Sequence, residues 1–204
     1  MVMITVIGIG PGNPQFCLVG QEKFYKEADV ILGSSRHLEV IADKLQGKGV
    51  VAPKKLKDLE ELLLTYPETT NLVYLVSGDP LIYGLGKWLT ERFPGRIKLV
   101  PGISSMQYLA SKVCLPMNDA YLTSSHAKEP NFELIMSLSK VFCVTDNKVG
   151  PYQIAQEVVK RGLKKTLIIG ENLSYDNEKI SIMAADQVLD RDYDMNVVVI
   201  VDER

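Results

Sequence analysis

In the first half of the chain, apolar strand-like runs alternate with segments of helical periodicity, and this alternation constrains the fold more than any other feature. We predict strands over residues 2–9, 28–32, 50–52, 71–76 and 96–100. We expect helices over residues 16–26, 34–45, 56–64, 81–93 and 103–113. Strands separated by helices at this interval form a mostly parallel sheet that is covered by the helices.

A turn-rich segment at Leu115-Pro116-Met117-Asn118 predicts a boundary between domains 1–115 and 116–204. Beyond it we predict strands over residues 120–125, 141–145, 166–170, 178–182 and 196–201, and helices over residues 132–138 and 152–161. The last three strands have little helix between them. The predicted fold class is therefore two α/β domains, a parallel-sheet N-terminal domain and a mixed-sheet C-terminal domain.

Composition excludes several classes of protein. With 46% hydrophobic residues and a net charge of −2, the 204-residue chain is neither disordered nor basic enough for general nucleic-acid binding. It has no apolar run near the roughly 20 residues of a membrane span, and its apolar opening predicts a strand instead of a signal peptide. Three dispersed cysteines and two histidines argue against a disulfide framework or a protein metal site and favour a reducing cytoplasm.

Three glycine-containing loops follow predicted strands of the first domain. They are Gly8-Ile9-Gly10-Pro11-Gly12, Ser77-Gly78-Asp79-Pro80 and Pro101-Gly102-Ile103-Ser104-Ser105. Each alone is compatible with a tight strand-to-helix turn, in which Asp79 and Ser104 would cap helices and Pro80 would start one. All three, however, follow parallel strands at the sheet edge where open α/β sheets bind ligands, so together they favour a binding site.

A dinucleotide site is the obvious alternative for the first loop, and the sequence argues against it. The fingerprint needs a third glycine where this chain has Asn13, and an acid at the end of the second strand, where it has Gly33-Ser34. The chain also has no Gly-Lys-Ser/Thr ending of a phosphate-binding P-loop.

These three loops resemble those of the tetrapyrrole methylases, the S-adenosylmethionine-dependent enzymes of siroheme and cobalamin synthesis. Residues 28–36, 124–126, 170–175 and 178–180 are most similar to the cobalt-precorrin C5-methyltransferases within that family. Two departures stand out. Leu18-Val19 replaces the usual Leu-Thr pair, and Ala127-Lys128 replaces the Gly-Arg pair that often follows the family's histidine.

The resemblance implies two domains with S-adenosylmethionine in the cleft between them, and a homodimer. By analogy the cofactor contacts from the front domain and the adjoining helix are Pro11, Gly78, Asp79, Ile82, Ser104, Ser105 and Met106. Those from the back domain are Val144, Thr145, Glu171, Asn172 and Leu173. Asp79 would accept hydrogen bonds from the ribose or complement the sulfonium charge.

The implied reaction transfers a methyl group to the C5 meso carbon of a cobalt-precorrin, which brings its own cobalt. Alignment of the reacting atoms supplies most of the catalysis, and His126 is the candidate base, with a backbone-bonding role as the alternative. Because the substrate carries acetate and propionate arms, Arg36 is the first candidate for substrate binding. Further cations of this kind are Lys54, Lys55 and Lys128. We read His37 as a surface residue.

Other readings stay open at this point. They are methylation at another ring position, the diphthine synthase activity on elongation factor two, a nicotinamide-dependent oxidoreductase, and a non-catalytic adenosylmethionine-binding module. Some C5-methyltransferases are fused to a C15-methylating, decarboxylating domain. Because this chain ends at its last predicted strand, we expect that activity in a separate partner protein.

Overall fold

The computed structural model describes residues 3–126 and 130–203 of the chain. The chain divides into two compact units, Met1–Ser104 and Ser105–Arg204. Each unit is built on one sheet covered by helices, and the predicted fold class of two α/β domains is confirmed. By this division the helix that follows the third glycine loop lies in the second unit, and the domain boundary between residues 115 and 116 stays a prediction.

The first unit contains a parallel sheet with the strand order β3-β2-β4-β1-β5 in its described part. Its strands are β1 (Ile4–Gly8), β2 (Val30–Gly33), β3 (Gly49–Val51), β4 (Leu72–Val76) and β5 (Ile97–Val100). Its helices are α1 (Glu22–Glu27), α2 (Ser35–Val40), α3 (Leu56–Thr65) and α4 (Gly86–Arg92). Strands β1 and β4 are buried along their whole length, which is why both are continuous apolar runs.

The connections of this sheet run in two directions. Those from β1 to β2 and from β2 to β3 run toward one edge, whereas those from β3 to β4 and from β4 to β5 run toward the other. Accordingly, Leu38 of α2 packs in the core on one face with Ile31, while Leu89 of α4 packs on the other face with Leu32. The connections that leave the neighbouring strands β2 and β4 therefore run in opposite directions. The position between these two strands is the topological switch point of the sheet.

Two helices of the first unit start later than the sequence predicts. Helix α1 begins at Glu22 instead of residue 16, because the preceding chain forms two short 3-10 turns, and Leu18 offers no side-chain cap. Helix α4 begins at Gly86 instead of residue 81. Tyr83 has a φ of 53°, and Gly86 donates to the carbonyl of Pro80 at 2.9 Å, so residues 80–85 form a tight turn.

The second unit contains a mixed sheet with the strand order β6-β7-β10-β8-β9 in its described part. Its strands are β6 (Tyr121–Ser124), β7 (Lys140–Val144), β8 (Lys165–Glu171), β9 (Lys179–Ala184) and β10 (Asn196–Asp202). Its helices are α5 (Ser105–Lys112), α6 (Phe132–Ser137) and α7 (Pro151–Lys160). Strands β6 and β7 are parallel, while β7, β10, β8 and β9 pair antiparallel in that order.

The core of the second unit lies between its sheet and helices α6 and α7. Ile135 and Ile154 pack there against Val198 and Leu167, all of them almost fully buried. Across residues 3–126 and 130–203, every helix is too short or too polar to cross a membrane.

Candidate functional site

The three glycine loops converge at the carboxyl edge of the first sheet. A Cβ atom on Gly102 would lie 2.2 Å from the carbonyl oxygens of both Gly8 and Gly78, and one on Gly8 would lie 2.3 Å from the Gly78 oxygen. Real Cβ atoms do not approach backbone so closely, so only glycine fits at these positions. The expectation that the three loops lie together at the carboxyl edge of the parallel sheet is confirmed by the contacts among Gly8, Gly78 and Gly102.

Hydrogen bonds join the first two loops directly. Gly78 donates its N–H to the carbonyl of Gly10 at 2.7 Å, and Gly10 donates back to Gly78 at 3.3 Å. Both glycines have positive φ, 83° for Gly10 and 62° for Gly78, which other residues adopt at a cost. This pairing extends the sheet contact between the carboxyl ends of β1 and β4 into the loops themselves.

The carboxylate of Asp79 connects the second loop to the third. Its Oδ2 accepts from the backbone N–H of Gly102 at 3.2 Å, and its Oδ1 accepts from the N–H of Leu81 at 2.8 Å. Asp79 therefore forms a local turn instead of capping a helix. A carboxylate has about four acceptor positions, so both oxygens keep capacity for ligand donors.

Gln21 is a buried polar residue that the sequence analysis did not single out. Its Nε2 donates to the carbonyl of Gly8 at 2.7 Å and to that of Pro101 at 3.0 Å, while its Oε1 accepts from the Tyr25 hydroxyl at 3.1 Å. One amide thus supports the first and third loops from beneath. A Gln between two apolar stretches, just before a helix, gives only a faint signal of this role in the sequence.

Arg36 and His37 lie just beyond the end of β2, beside Ser77 at the end of β4. An Arg36 guanidinium nitrogen donates to Ser77 Oγ at 3.0 Å, and His37 Nε2 lies 2.8 Å from the same oxygen. The prediction that His37 is a surface residue is wrong, because its Nδ1 is buried. Burial, followed by the charge of Arg36, lowers the pKa of His37 to about 4, so its imidazole is neutral at pH 7.

Two of the lysines predicted to bind substrate follow the strand that neighbours β2 in the sheet. Lys54 and Lys55 are exposed and follow β3, the neighbour of β2. Ala52 donates to the carbonyl of Gly33 at 2.8 Å, which keeps the chain leaving β3 beside the end of β2. Lys128 lies outside the described residues.

Within the second unit, the predicted residues at the ends of β7 and β8 face the start of β10. The Thr145 hydroxyl lies 2.6 Å from Asn196 Oδ1, and Asn196 pairs with Glu171 across the sheet. Val144, which precedes Thr145, is half-buried. These residues therefore share one edge of the second sheet.

The side chain of Glu171 is engaged within its own unit. Both of its oxygens accept from the Arg191 guanidinium, one of them at 2.9 Å, and Asp194 adds its N–H at 3.2 Å. The Arg191 hydrogen bonds hold the pKa of this buried carboxyl below its usual value. The carboxylate therefore stabilises the turn after β8, and next to it Asn172 has a φ of 47°.

Helix α5 packs against the same end of β8. A Cβ on Gly170 would lie 2.7 Å from the side chain of Leu173 and 2.9 Å from that of Leu109 on α5. Met106 on α5 is fully buried, whereas Ser105 at its start is half-buried. Ile82 and Ser104 lie on loops of the first unit, where Ser104 is buried and Ile82 donates to the Asp79 carbonyl at 3.3 Å.

His126 follows β6 and is exposed. Its backbone N–H donates to Ser124 Oγ at 3.0 Å. In residues 3–126 and 130–203, the imidazole makes no hydrogen bond. Its role as a base stays a prediction.

The structure gives two further reasons against a dinucleotide site. In that fold the first glycine loop leads directly into a helix, but here α1 begins only at Glu22, and Asn13 caps a short 3-10 turn through Gln15. The dinucleotide-binding sheet also places its first and second strands side by side, whereas here β4 lies between them.

A known protein family matches most of the chain, including the residues of the three glycine loops. The sequence pattern described as Tetrapyrrole (Corrin/Porphyrin) Methylases matches residues 3–188. The chain belongs to the tetrapyrrole methylase family. Among curated members of this family, the chain is 37% identical to the cobalt-precorrin-7 C(5)-methyltransferase of Salmonella typhimurium, over 99% of this chain and 100% of that protein. It is 29% identical to the probable cobalt-precorrin-7 C(5)-methyltransferase of Methanocaldococcus jannaschii, over 94% of this chain and 93% of that protein.

Solved tetrapyrrole methylase structures share the fold. The precorrin-6Y methylase of Archaeoglobus fulgidus superposes with a TM-score of 0.80 at 20% identity, covering 99% of each chain. A uroporphyrin-III C-methyltransferase of Thermus thermophilus, whose structure is complexed with S-adenosylhomocysteine, superposes with a TM-score of 0.75 at 23% identity. That match covers 98% of this chain and 97% of the Thermus protein.

Proposed function

We propose that this tetrapyrrole methylase transfers a methyl group from S-adenosylmethionine to the C5 meso carbon of a cobalt-precorrin in cobalamin biosynthesis. The observation that carries the proposal is the interlocking of Gly8, Gly78 and Gly102 at one sheet edge, with Asp79 joining two of the loops. The full-length similarity to C5-methyltransferases supports the choice of substrate and ring position.

The residues of the first unit suit adenosylmethionine. Its three loops present backbone groups, and Asp79 keeps acceptor capacity that matches ribose hydroxyls. Pro11, Ile82 and Ser104 lie on the same loops. From the second unit we propose the predicted contacts Ser105, Met106, Val144, Thr145, Glu171, Asn172 and Leu173. For Glu171 the backbone is the proposed contact, because its carboxylate is paired with Arg191.

When bound, adenosylmethionine supplies a methyl group already activated by its sulfonium. The chain then has to align that group with the acceptor carbon, and alignment alone can supply roughly 7–11 kcal/mol. His126 is the proposed acceptor of the proton that the methylated carbon releases, since its imidazole is exposed at the end of β6. Arg36, Lys54, Lys55 and Lys128 are the proposed partners of the substrate carboxylates.

The remaining partners are proposals of the same kind. A homodimer follows from the family resemblance, and sedimentation equilibrium tests it. A reducing cytoplasm suits free Cys17, Cys114 and Cys143. A separate C15-methylating decarboxylase is proposed as a partner, and the name of a Sinorhizobium relative, precorrin-6Y C(5,15)-methyltransferase [decarboxylating], supports it, since that protein is 29% identical over 89% of this chain.

Calorimetric titration with S-adenosylhomocysteine, with NADH in parallel, is the first test. We expect micromolar binding of S-adenosylhomocysteine and none of NADH. Binding of NADH alone would contradict the proposal. Incubation with adenosylmethionine and the cobalt-precorrin should then give a product methylated at C5, and methylation at another carbon would assign the chain a different ring position.

The Asp79→Ala variant tests the contribution of one residue to the proposed cofactor site. Losing hydrogen bonds to a charged group costs about 1.5–3 kcal/mol, so we expect S-adenosylhomocysteine affinity to fall at least about tenfold, with folding retained. Asp58→Ala is the matched control, because Asp58 is an exposed aspartate at the start of α3. Equal affinities of the two variants would remove Asp79 from the site.

A further inference from the structure

Gln21 directs its side-chain amide toward two of the glycine loops. It lies directly before α1 and is 1% exposed. Its Nε2 donates to the carbonyl of Gly8 at 2.7 Å and to that of Pro101 at 3.0 Å. Burying an amide costs free energy that hydrogen bonds only offset, so a buried glutamine beneath two loops needs an explanation.

The partners of the amide fix which of its ends is the nitrogen. Nε2 carries two protons and faces two carbonyl oxygens, while Oε1 accepts from the Tyr25 hydroxyl at 3.1 Å. A reversed amide would set its oxygen against both carbonyls. Tyr25 lies about one helical turn after Gln21 and is 2% exposed, so its hydroxyl helps to hold the amide in this orientation.

The Gly8 carbonyl lies where the pairing of β1 with β5 reaches the loops. Near the start of this pairing, Ile4 donates its N–H to the Arg96 carbonyl at 2.8 Å. In a parallel ladder such bonds repeat every two residues, and the N–H two residues beyond each accepting carbonyl donates back to the first strand. Four residues further along, the same pattern assigns the Gly102 N–H to the Gly8 carbonyl.

The structure pairs both of these groups differently. The Gly8 carbonyl accepts from Gln21 Nε2, and the Gly102 N–H donates to Asp79 Oδ2 at 3.2 Å. The Gln21 amide therefore replaces a backbone donor and leaves the Gly102 N–H available to Asp79. The same amide also bonds Pro101, which has no N–H of its own with which to continue the ladder.

The orientation of the Asp79 carboxylate depends on this exchange of partners. Its Oδ1 accepts from the Leu81 N–H at 2.8 Å, so backbone donors hold both of its oxygens. The donor to Oδ2 is available because Gln21 occupies the Gly8 carbonyl. Stability alone does not require the exchange, since the regular ladder bond satisfies Gly8 without burying a side-chain amide.

We propose that Gln21 is a positioning residue of the cofactor site, which sets the Asp79 carboxylate in the orientation that binds S-adenosylmethionine. This inference rests on the proposed function, in which Asp79 accepts hydrogen bonds from the ribose. When residue 21 lacks its amide, the Gly8 carbonyl competes with Asp79 for the Gly102 N–H. The carboxylate is then less well preorganised, and binding the ligand costs more.

Gln21→Met tests this role, because methionine has about the length of glutamine and lacks the amide. Calorimetry with S-adenosylhomocysteine is performed where circular dichroism shows the variant to be folded. We expect the affinity to fall about tenfold, the effect of losing one hydrogen bond to a charged group. Leu63→Val is the control for lost stability, because Leu63 is a fully buried residue of α3 in the same unit, and it should keep wild-type affinity.

A double-mutant cycle separates positioning from a purely structural role. If Gln21 acts through Asp79, Gln21→Met should weaken binding much less in the Asp79→Ala background than in the wild type. A structural role alone predicts the same factor in both backgrounds. Equal factors would overturn the proposal, as would an unchanged affinity in Gln21→Met or an equal loss in Leu63→Val.

The amide proton of Gly102 reports the hydrogen bond itself, in protein without ligand. A hydrogen bond to a carboxylate moves an amide proton resonance downfield, so Asp79→Asn should move the Gly102 resonance upfield. Gln21→Met should move it as well. If Asp79→Asn leaves this resonance in place, Gly102 does not donate to Asp79 and the proposal fails, whether or not Gln21→Met folds.

Failure of the proposed function looks different. Wild-type protein would then bind no S-adenosylhomocysteine, while the Gly102 resonance would still respond to Asp79→Asn. The positioning role would fall with that function.

Discussion

Asp79 Oδ2 accepts a hydrogen bond from the backbone N–H of Gly102 at 3.2 Å, and this bond joins loops that are separated in sequence. It forms where Gly102 packs against the carbonyls of Gly8 and Gly78 at distances that admit no side chain. The three loops therefore form one rigid arrangement, and a change in one of them is expected to disturb the others.

Gly102→Ala should show how tightly the loops pack. Its added Cβ would lie 2.2 Å from two backbone oxygens, which no side-chain rotation relieves. We expect unfolding free energy to fall by at least about 3 kcal/mol, with loss of S-adenosylhomocysteine binding. Gly20→Ala is the control, because nothing lies within 4 Å of its added Cβ, and its stability should change by less than about 1 kcal/mol. Equal stability of both variants in urea would contradict this packing.

Gln21→Leu should destabilise the first unit, because two backbone carbonyls would lose their hydrogen-bond donor. Gly8 and Pro101 lose the amide that now donates to them, and a buried unsatisfied polar group costs about 1–3 kcal/mol. We expect a loss of roughly 2–4 kcal/mol in denaturant unfolding for the pair. Gln156→Leu, at an exposed position of α7, is the control and should stay within about 0.5 kcal/mol of the wild type.

His37 should make stability depend on pH in a definite window. Burial and the charge of Arg36 lower its pKa from 6.5 to about 4, so between these values the unfolded chain binds more protons than the folded one. The stability that this group contributes therefore falls as pH falls from 6.5 to 4, by at most about 3.5 kcal/mol. Urea unfolding of wild type and His37→Gln at several pH values measures the difference. If the unfolding free energies of the two proteins change with pH in the same way, His37 does not cause the pH dependence.

Arg191→Leu should leave the Glu171 carboxylate, which is 3% exposed, without its guanidinium partner. Because the Arg191 side chain is itself 34% exposed, solvent screening limits the loss to roughly 2–3 kcal/mol at pH 7. The pKa of Glu171 is held low, so the stability from this pair is present above its unfolded pKa and is lost as pH falls. Glu171→Gln combined with Arg191→Leu should recover most of the loss. If thermal unfolding shows the double variant no better than Arg191→Leu, the charge pairing is not the cause.

Local pattern was enough for much of the fold. Continuous apolar runs predicted β1 and β4 because parallel strands buried on both faces need apolar residues at every position. Helices α6 and α7 were also predicted within a few residues. The late start of α4 was not predicted. The apolar residues from Leu81 to Phe93 recur at helical spacing, and this spacing in the sequence does not show where the backbone turns. Leu81 is 62% exposed, and the backbone of Pro80 and Tyr83 forms a turn there.

By itself, the sequence determined the strand–helix alternation, the three glycine loops and the family, since these depend on residue types at short spacing. Only the tertiary structure decided that Gly8, Gly78 and Gly102 interlock, that Gln21 supports two loops, and that His37 reaches Ser77. The physical reason is the strand order. It places β4 between β2 and β1 and so brings together side chains that lie about forty residues apart along the chain.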